Sequence, residues 1–219
     1  MVRSSVSRET PARLSPADRK AQILTAARGL LERRSIDTLS VEAVAEEVGV
    51  SPGLLFHYFG SQRKLRHAVL RAVADELLDH LRPDPAMTPS EQLRSGIDTF
   101  VEQVSRHPSL YLTVVRLTTA GGSAEMRALH RAMRATFTEW ITAGLAGAGM
   151  PPNRAVAMAV HGWQAFMEEV VVDWLDQPAA ERMPRAELVE FCRRACYQLV
   201  RVALDDDEQW DRILPRLRG

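Results

Sequence analysis

The chain has 219 residues, enough to bury a sizeable core in one or two domains. Its 46% hydrophobic and 26% charged residues are ordinary for a globular protein, and no apolar run approaches the roughly 20 residues of a membrane span. The formal charges cancel at 28 basic and 28 acidic residues, which excludes a strongly basic or acidic chain as a whole.

The first 14 residues are polar, without periodicity, and contain Arg3, Arg8 and Arg13. This pattern predicts a disordered arm over residues 1–14, which is either a passive tail or an arm that enters a DNA minor groove. The start of the chain also lacks the apolar stretch of a secretory signal, so we expect a cytoplasmic protein.

Helical periodicity begins at Ser15-Pro16, an N-cap followed by a first-turn proline. A short second helix is predicted between its cap Ser40 and Gly49, and Ser51-Pro52 opens a third that runs to about Phe59. A fourth helix begins near Ser61. We therefore predict a helical domain over residues 15–82; residues 1–82 carry 13 basic and 10 acidic groups, against 15 and 18 in the remainder.

The prolines of the stretch Arg82 to Pro85 end this part and mark the predicted boundary with a second domain, residues 83–219. Nothing there alternates like a strand, so the predicted fold class is all-α. Five longer helices are expected at about 89–106, 109–119, 123–147, 152–176 and 185–204.

The segment Ser40 to Phe59 predicts a helix-turn-helix whose sharp turn lies at Gly49. On a helical wheel, Leu55 and Phe59 point inward, whereas Gly53, Leu54 and His57 point outward with aromatic neighbours. Such a surface is poorly explained by solvent exposure and well explained by insertion into the DNA major groove. The residues expected to contact DNA are Ser40, Val41, Ser51, Pro52, Gly53, Leu54, Phe56, His57, Tyr58 and Lys64.

Residues 16–70 resemble the tetracycline-repressor (TetR) family of bacterial regulators. The matching positions are Ile23, Ala26, Ala27, Val44-Ala45, Gly49-Val50-Ser51, Gly53, Leu55 to Phe59, and Ser61 to Leu65. The resemblance implies a homodimer that binds double-stranded operator DNA through residues 1–82. It also implies that the later helices form a ligand-binding and dimerisation core, and that a small molecule in this core releases the operator.

Two positions depart from the family pattern, which often has tyrosine at Phe56 and lysine at Gln62, both phosphate contacts. Phenylalanine lacks the hydroxyl group and glutamine lacks the charge. The phosphate contacts at these two positions are therefore in doubt, and Arg63 or Lys64 are candidates to replace them.

The predicted helix 152–176 is rich in large apolar side chains. Together with aromatic groups on other helices they either pack a core or line an apolar cavity for an apolar or aromatic effector. The candidate ligand-binding residues are Phe100, Tyr111, Phe137, Trp140, Trp163, Phe166, Met167 and Val170.

The opposite side of this helix carries the small residues Gly162 and Ala165, which we assign to a dimer interface completed by the helix 185–204. Cys192 and Cys196 on that second helix are expected to be small buried side chains rather than a metal or redox pair, because no further ligand lies nearby.

Three carboxylates of the helix 152–176, Glu168, Glu169 and Asp173, are either solvated or paired at the surface, or one of them faces the cavity. In the second case, aromatic walls with a carboxylate favour a cationic ligand. The acidic run Asp205 to Glu208 is interpreted as a solvated helix end.

An enzyme is the main alternative class. The sequence contains no nucleophile elbow, phosphate-binding glycine loop or zinc-protease motif, so we expect no catalytic residues, no metal and no cofactor. A helical adaptor without DNA binding is disfavoured by the exposed recognition surface. Repression is expected, and activation by a protein of the same fold stays open.

Overall fold

A computed structural model describes residues 14–31, 33, 36–108, 111 and 123–219. The predicted arm, apart from Leu14, and the predicted helix 109–119, apart from Tyr111, lie outside the described residues. The all-α prediction is confirmed, since the described part of the chain is built from helices and contains no strand. The helices are α1 (Pro16–Leu31), α2 (Val41–Val48), α3 (Pro52–Phe59), α4 (Gln62–His80), α5 (Pro89–Arg106), α6 (Ala124–Gly147), α7 (Arg154–Asp176), α8 (Arg185–Leu204) and α9 (Asp207–Arg218), with a short 3-10 turn at Ile36–Thr38.

The chain forms two compact units, one ending at Val69 and the other beginning at Leu70. The boundary predicted between residues 82 and 83 lies later in the chain than this division, which falls inside α4. The reason is that the end of α4 already belongs to the second core: Leu77 packs against that core, and Leu81, directly after α4, is buried in it at 7% exposed.

In the first unit, local sequence chemistry sets where the short helices begin and end. The hydroxyl oxygens of Ser40 and Ser51 accept hydrogen bonds from the N–H groups of Ala43 (3.1 Å) and Leu54 (3.3 Å). Gly49 ends α2 with φ of 73°, a left-handed conformation that side chains disfavour. Both helices rest on a core that includes the fully buried side chains of Ile23, Val44, Leu55 and Leu65.

The second unit is organised around α7 and α8. The indole N–H of Trp163 on α7 donates to the carbonyl oxygen of Cys192 on α8 at 2.8 Å, and both residues are buried. Cys192 and Cys196 are free thiols in this core, and burial raises the pKa of each, to about 11 and about 12. The prediction that Cys192 and Cys196 are small buried side chains is thus confirmed.

Helix α5 is tied to α8 by the guanidinium group of Arg185. Its Nε donates to a carboxylate oxygen of Asp98 at 2.7 Å, and a terminal nitrogen lies 3.3 Å from a carboxylate oxygen of Glu102. A capping box between Thr88 and Glu91, followed by Pro89, fixes the start of α5. These contacts hold α5 in place as one wall of the second unit.

Helix α9 is absent from the predicted elements, because the acidic run at its start is also the pattern of a solvated helix end. Asp206 caps this helix by accepting from the N–H of Gln209 at 2.8 Å. Its apolar residues Trp210, Ile213 and Leu217 recur at helical spacing and are at most 4% exposed. That spacing was the available signal, and it shows that α9 is part of the second core rather than a solvated tail.

Candidate nucleic-acid interface and ligand cavity

Helix α3 is held by two inward side chains and leaves the rest of its surface open. Leu55 is 0% and Phe59 7% exposed, whereas Gly53 and His57 are exposed and Phe56 is 46% exposed. A helix of eight residues has little stability of its own, so these two buried contacts and its caps determine its position. The outward face is free to meet a partner.

Nothing inside the chain requires a glycine at position 53. A Cβ atom built there would meet only the hydroxyl oxygen of Ser51, at an ordinary 3.9 Å. Its backbone does not need positive φ either, since the described positive-φ glycines lie elsewhere. A missing side chain on an exposed helix face is what close approach of another molecular surface requires.

The other residues expected to contact DNA differ in exposure. Ser51, Pro52 and Lys64 are exposed, while Ser40, Leu54 and Tyr58 are half-buried. The prediction is wrong for the side chain of Val41, which is 1% exposed and packs into the core of the first unit. Only the backbone of Val41, at the start of α2, is left to contact DNA. Position 41 is the inward first-turn position of α2, which its apolar neighbours Val44 and Ala45 already indicated.

The second unit contains a partly open cavity of about 100 Å³ between α5, α6 and α7, far more than the roughly 10–15 Å³ that one water needs. Five of the predicted ligand-binding residues come together there: Phe100, Phe137, Trp140, Trp163 and Met167. The remaining lining residues are Leu81, Pro83, Pro89, Gln92, Leu93, Gly96, Ile97, Ile141, Gly144, Leu145, Gln164, Glu168, Tyr197 and Leu217.

Three predicted residues do not line this cavity. Phe166 is 36% exposed and packs against Phe191 of α8 with tilted rings whose centroids are 5.8 Å apart, and Val170 is half-buried against the core. Tyr111 packs edge-on against Phe100 at 5.5 Å, behind the lining.

The geometry of α7 explains the error. Each residue advances by about 100° around a helix, so Trp163, Gln164, Met167 and Glu168 span one arc of about 140°. Phe166 lies about 130° from the middle of that arc and Val170 about 90°. The prediction grouped the bulky residues, named Glu168 only as one of three carboxylates that could face the cavity, and omitted Gln164, whose polar character on an apolar helix face was the available signal.

One end of the cavity carries a polar cluster built by α6 and α7. Oε1 of Glu168 lies 3.3 Å from Nε2 of His130 and 3.9 Å from Nε of Arg134. The guanidinium of Arg134 also donates to the backbone oxygen of His161. Gln164, 2% exposed, donates from Nε2 to the Thr138 hydroxyl (2.8 Å) and to the Arg134 backbone oxygen (3.1 Å).

The electrostatics at this end depend on burial and on the carboxylates. Burial, followed by the charges of Glu168 and Glu169, raises the pKa of Tyr111 well above its usual value, against a smaller opposing effect of Arg134. The pKa of His161 is lowered, first by desolvation and then by the charge of Arg134. The Tyr111 hydroxyl is buried and has no hydrogen-bond partner among the described residues.

No helix in the described part of the chain is long and apolar enough to cross a membrane. Nor do three or more His, Cys, Asp or Glu side chains gather within those residues in a way that would hold a metal ion.

Comparison with protein-family models matches both units. A model described as bacterial regulatory proteins of the tetR family matches residues 23–69, and one described as the C-terminal domain of tetracyclin repressor-like proteins matches residues 89–199. The second match alone covers half of the chain.

Two curated relatives are regulators. EthR of Mycobacterium tuberculosis strain H37Rv is 35% identical over 103 residues, which cover 45% of this chain and 48% of EthR. BetI of Brucella canis is 38% identical over 86 residues, which cover 38% of this chain and 43% of BetI. The chain thus spans about half the length of the curated relatives it matches.

Among solved structures, a tetR-family transcriptional regulator from Streptomyces coelicolor is similar over most of its length. It is 25% identical, with 93% of this chain and 90% of that chain covered and a TM-score of 0.79.

Proposed function

The chain belongs to the TetR family of bacterial regulatory proteins, whose members are regulators rather than enzymes, and we propose that it is an operator-binding repressor released by a small molecule. The observation that carries DNA binding is the outward face of α3, where Gly53, Phe56 and His57 are exposed around buried anchors. Such a helix reads base edges in the major groove, and the N–H groups at the starts of α2 and α3 reach phosphates. The protein acts where chromosomal DNA lies, in the cytoplasm.

The proposed assembly is a homodimer through α7 and α8. Gly162 and Ala165 are exposed, and a Cβ built at Gly162 meets nothing within 4 Å. The same two helices carry exposed apolar side chains, Met158 at 67% and Val202 at 75%, together with the Phe166–Phe191 pair. Exposed apolar side chains of this kind are typical of an interaction surface, and small residues let a second helix approach closely.

The dimer is tested by Gly162→Gln, with Gly147→Gln as the matched control. Glutamine favours a helix over glycine by about 0.5–1 kcal/mol, so neither change should destabilise the isolated chain. Gly147 is also exposed with nothing within 4 Å of its Cβ. Sedimentation should show a monomer for Gly162→Gln and a dimer for Gly147→Gln; a stable Gly162→Gln dimer would place the interface elsewhere.

Operator binding is tested by footprinting. A dimer should protect two half-sites of a roughly palindromic sequence, separated by about 34–36 Å, one helical turn of DNA, or a small multiple. Protection of one isolated half-site by a monomer would refute the proposal. Transcription assays with the same operator separate repression from activation.

Release by an effector is supported by the cavity between α5, α6 and α7. A ligand shifts the dimer only through its different affinity for the two arrangements, and a coupling of about 1–3 kcal/mol changes operator affinity about 5–150-fold. Gly96→Leu provides the test, because Gly96 lines the cavity and its Cβ would meet nothing within 4 Å. The variant should bind the operator normally and lose its response to any effector identified by mass spectrometry of co-purifying molecules. An unchanged response would show that the effector binds outside this cavity.

A further inference from the structure

The charged and amide groups of the cavity lining offer acceptors, and the buried hydroxyl of Tyr197 can accept or donate. From these groups we infer that the cavity binds an organic cation, an apolar or aromatic body ending in a protonated amine that is held by Glu168. The inference rests on the proposed function in taking this cavity as the effector site.

The cavity is elongated, and Glu168 marks one end of it. α5 lines it from Pro89 to Phe100, eleven residue steps that correspond to about 16 Å of helix. Pro89 meets α6 at Gly144, whose added Cβ would lie 3.4 Å from the proline ring. Glu168 instead meets the beginning of α6 at His130, so the two sets of contacts lie at opposite ends. A ligand with a distinct head and body fits this division.

Among the described residues that line the cavity, Glu168 is the one formally charged side chain, and it is negative. Its Oε1 faces His130 and Arg134. Among the residues that the structure describes, none forms a hydrogen bond to its other oxygen, Oε2, and the side chain is 22% exposed. An ammonium group, with three N–H donors, is the natural partner of this oxygen.

The two amides of the lining also offer acceptors rather than donors. Nε2 of Gln164 is used on α6, as described above, and Nε2 of Gln92 donates to the backbone oxygens of Asp84 (2.7 Å) and Met87 (3.1 Å). Because each amide nitrogen has at least one backbone carbonyl oxygen as a partner, and a carbonyl oxygen only accepts, the orientation of each amide is fixed and its own oxygen is left as the acceptor. The Trp163 indole N–H is likewise committed to Cys192.

Arg134 is the cation that opposes this inference, and its position limits its effect. It does not line the cavity, and its guanidinium is held on the backbone of His161. At the nearby Tyr111 hydroxyl, the charges of Glu168 and Glu169 outweigh that of Arg134 in their effect on the pKa. A carboxylate ligand would meet Glu168, and the described lining residues include no cation, whereas the rings of Phe137, Trp140 and Trp163 stabilise a cation.

The test compares phenylbutylamine, phenylbutanol and phenylbutyrate, which share one body and differ only in the terminal group. Titration calorimetry on the full chain at neutral pH, followed in parallel by Trp fluorescence, should show the amine binding at least about tenfold more tightly than the alcohol and the carboxylate most weakly. Glu168→Gln, close to wild type in shape, should remove the preference for the amine. Glu169→Gln makes the same charge change at an exposed neighbour and should preserve it.

The inference is overturned if the carboxylate binds as tightly as the amine or more tightly, or if the amine does not bind. It is also overturned if the preference for the amine survives Glu168→Gln. Gel shifts with the same probes separate it from the proposed function. An amine that binds through Glu168 without releasing the operator contradicts effector control and supports the cation site. Release of the operator by the alcohol or the carboxylate, but not by the amine, supports effector control and contradicts the cation site.

Discussion

Helices α3 and α7 are both rich in aromatic and large apolar residues, yet they use them in opposite ways. α3 buries two side chains, Leu55 and Phe59, and leaves Phe56 and His57 exposed. α7 buries seven residues, and its large side chains serve the core, the cavity and the exposed face with Phe166 at once. The outward face of a short helix with one buried stripe can therefore be predicted from its sequence, whereas that of a long helix with apolar residues on several sides cannot.

The largest effect on stability is expected from Leu55→Ala, which removes one of the two buried side chains of α3. Truncating a fully buried leucine costs about 2–5 kcal/mol, enough to unfold a small unit. All four tryptophans lie after Leu70, so Trp fluorescence reports the second unit alone. Operator binding should be lost and the helical signal should melt earlier, while the Trp transition changes less.

Leu14→Ala is the control, because it removes the same atoms from a side chain that is 42% exposed. It should change stability by less than about 0.5 kcal/mol. If Leu55→Ala shifted the Trp transition as much as the helical one, the two units would unfold together. The difference between α3 and α7 would then not be matched by a difference in the stability of their units.

A medium effect is expected from Trp163→Phe in the second unit. The change keeps most of the ring and removes the buried hydrogen bond to Cys192, a loss of about 1–2 kcal/mol. Trp174→Phe removes a comparable bond to the Met183 oxygen at 2.7 Å, but at an exposed position, and should cost less. Thermal melts that ranked these two variants in the opposite order would contradict the role of burial.

The smallest effect on stability is expected from His57→Ala, whose side chain is exposed on α3. The melting temperature should stay the same, while operator affinity falls about fivefold or more, corresponding to about 1 kcal/mol, because a base-edge contact is lost. Lys64→Ala should weaken all DNA about equally and reduce the salt dependence by about one charge. Unchanged operator affinity of His57→Ala at moderate salt would remove this residue from the interface.

The sequence by itself determined the helical class, the helices of the first unit and the face of α3, but not where that unit ends. Serine caps, a following proline, glycine at a turn and one apolar stripe act within a few residues, so they can be interpreted without knowing what packs against them. The same local logic failed at Val41, where an inward first-turn position was counted as part of the DNA surface, and at α9, where an acidic cap hid an apolar stripe.

Only the tertiary structure decided which part of α7 lines the cavity. Phe166 and Met167 are adjacent, and both are large and apolar, but one contacts Phe191 at the exposed face and the other lines the cavity wall. Likewise, whether Glu168 is solvated or faces a ligand depends on α5 and α6, which lie far away along the chain. A cavity is the space left when several helices pack, so its walls and its charge are properties of the packing rather than of any one helix.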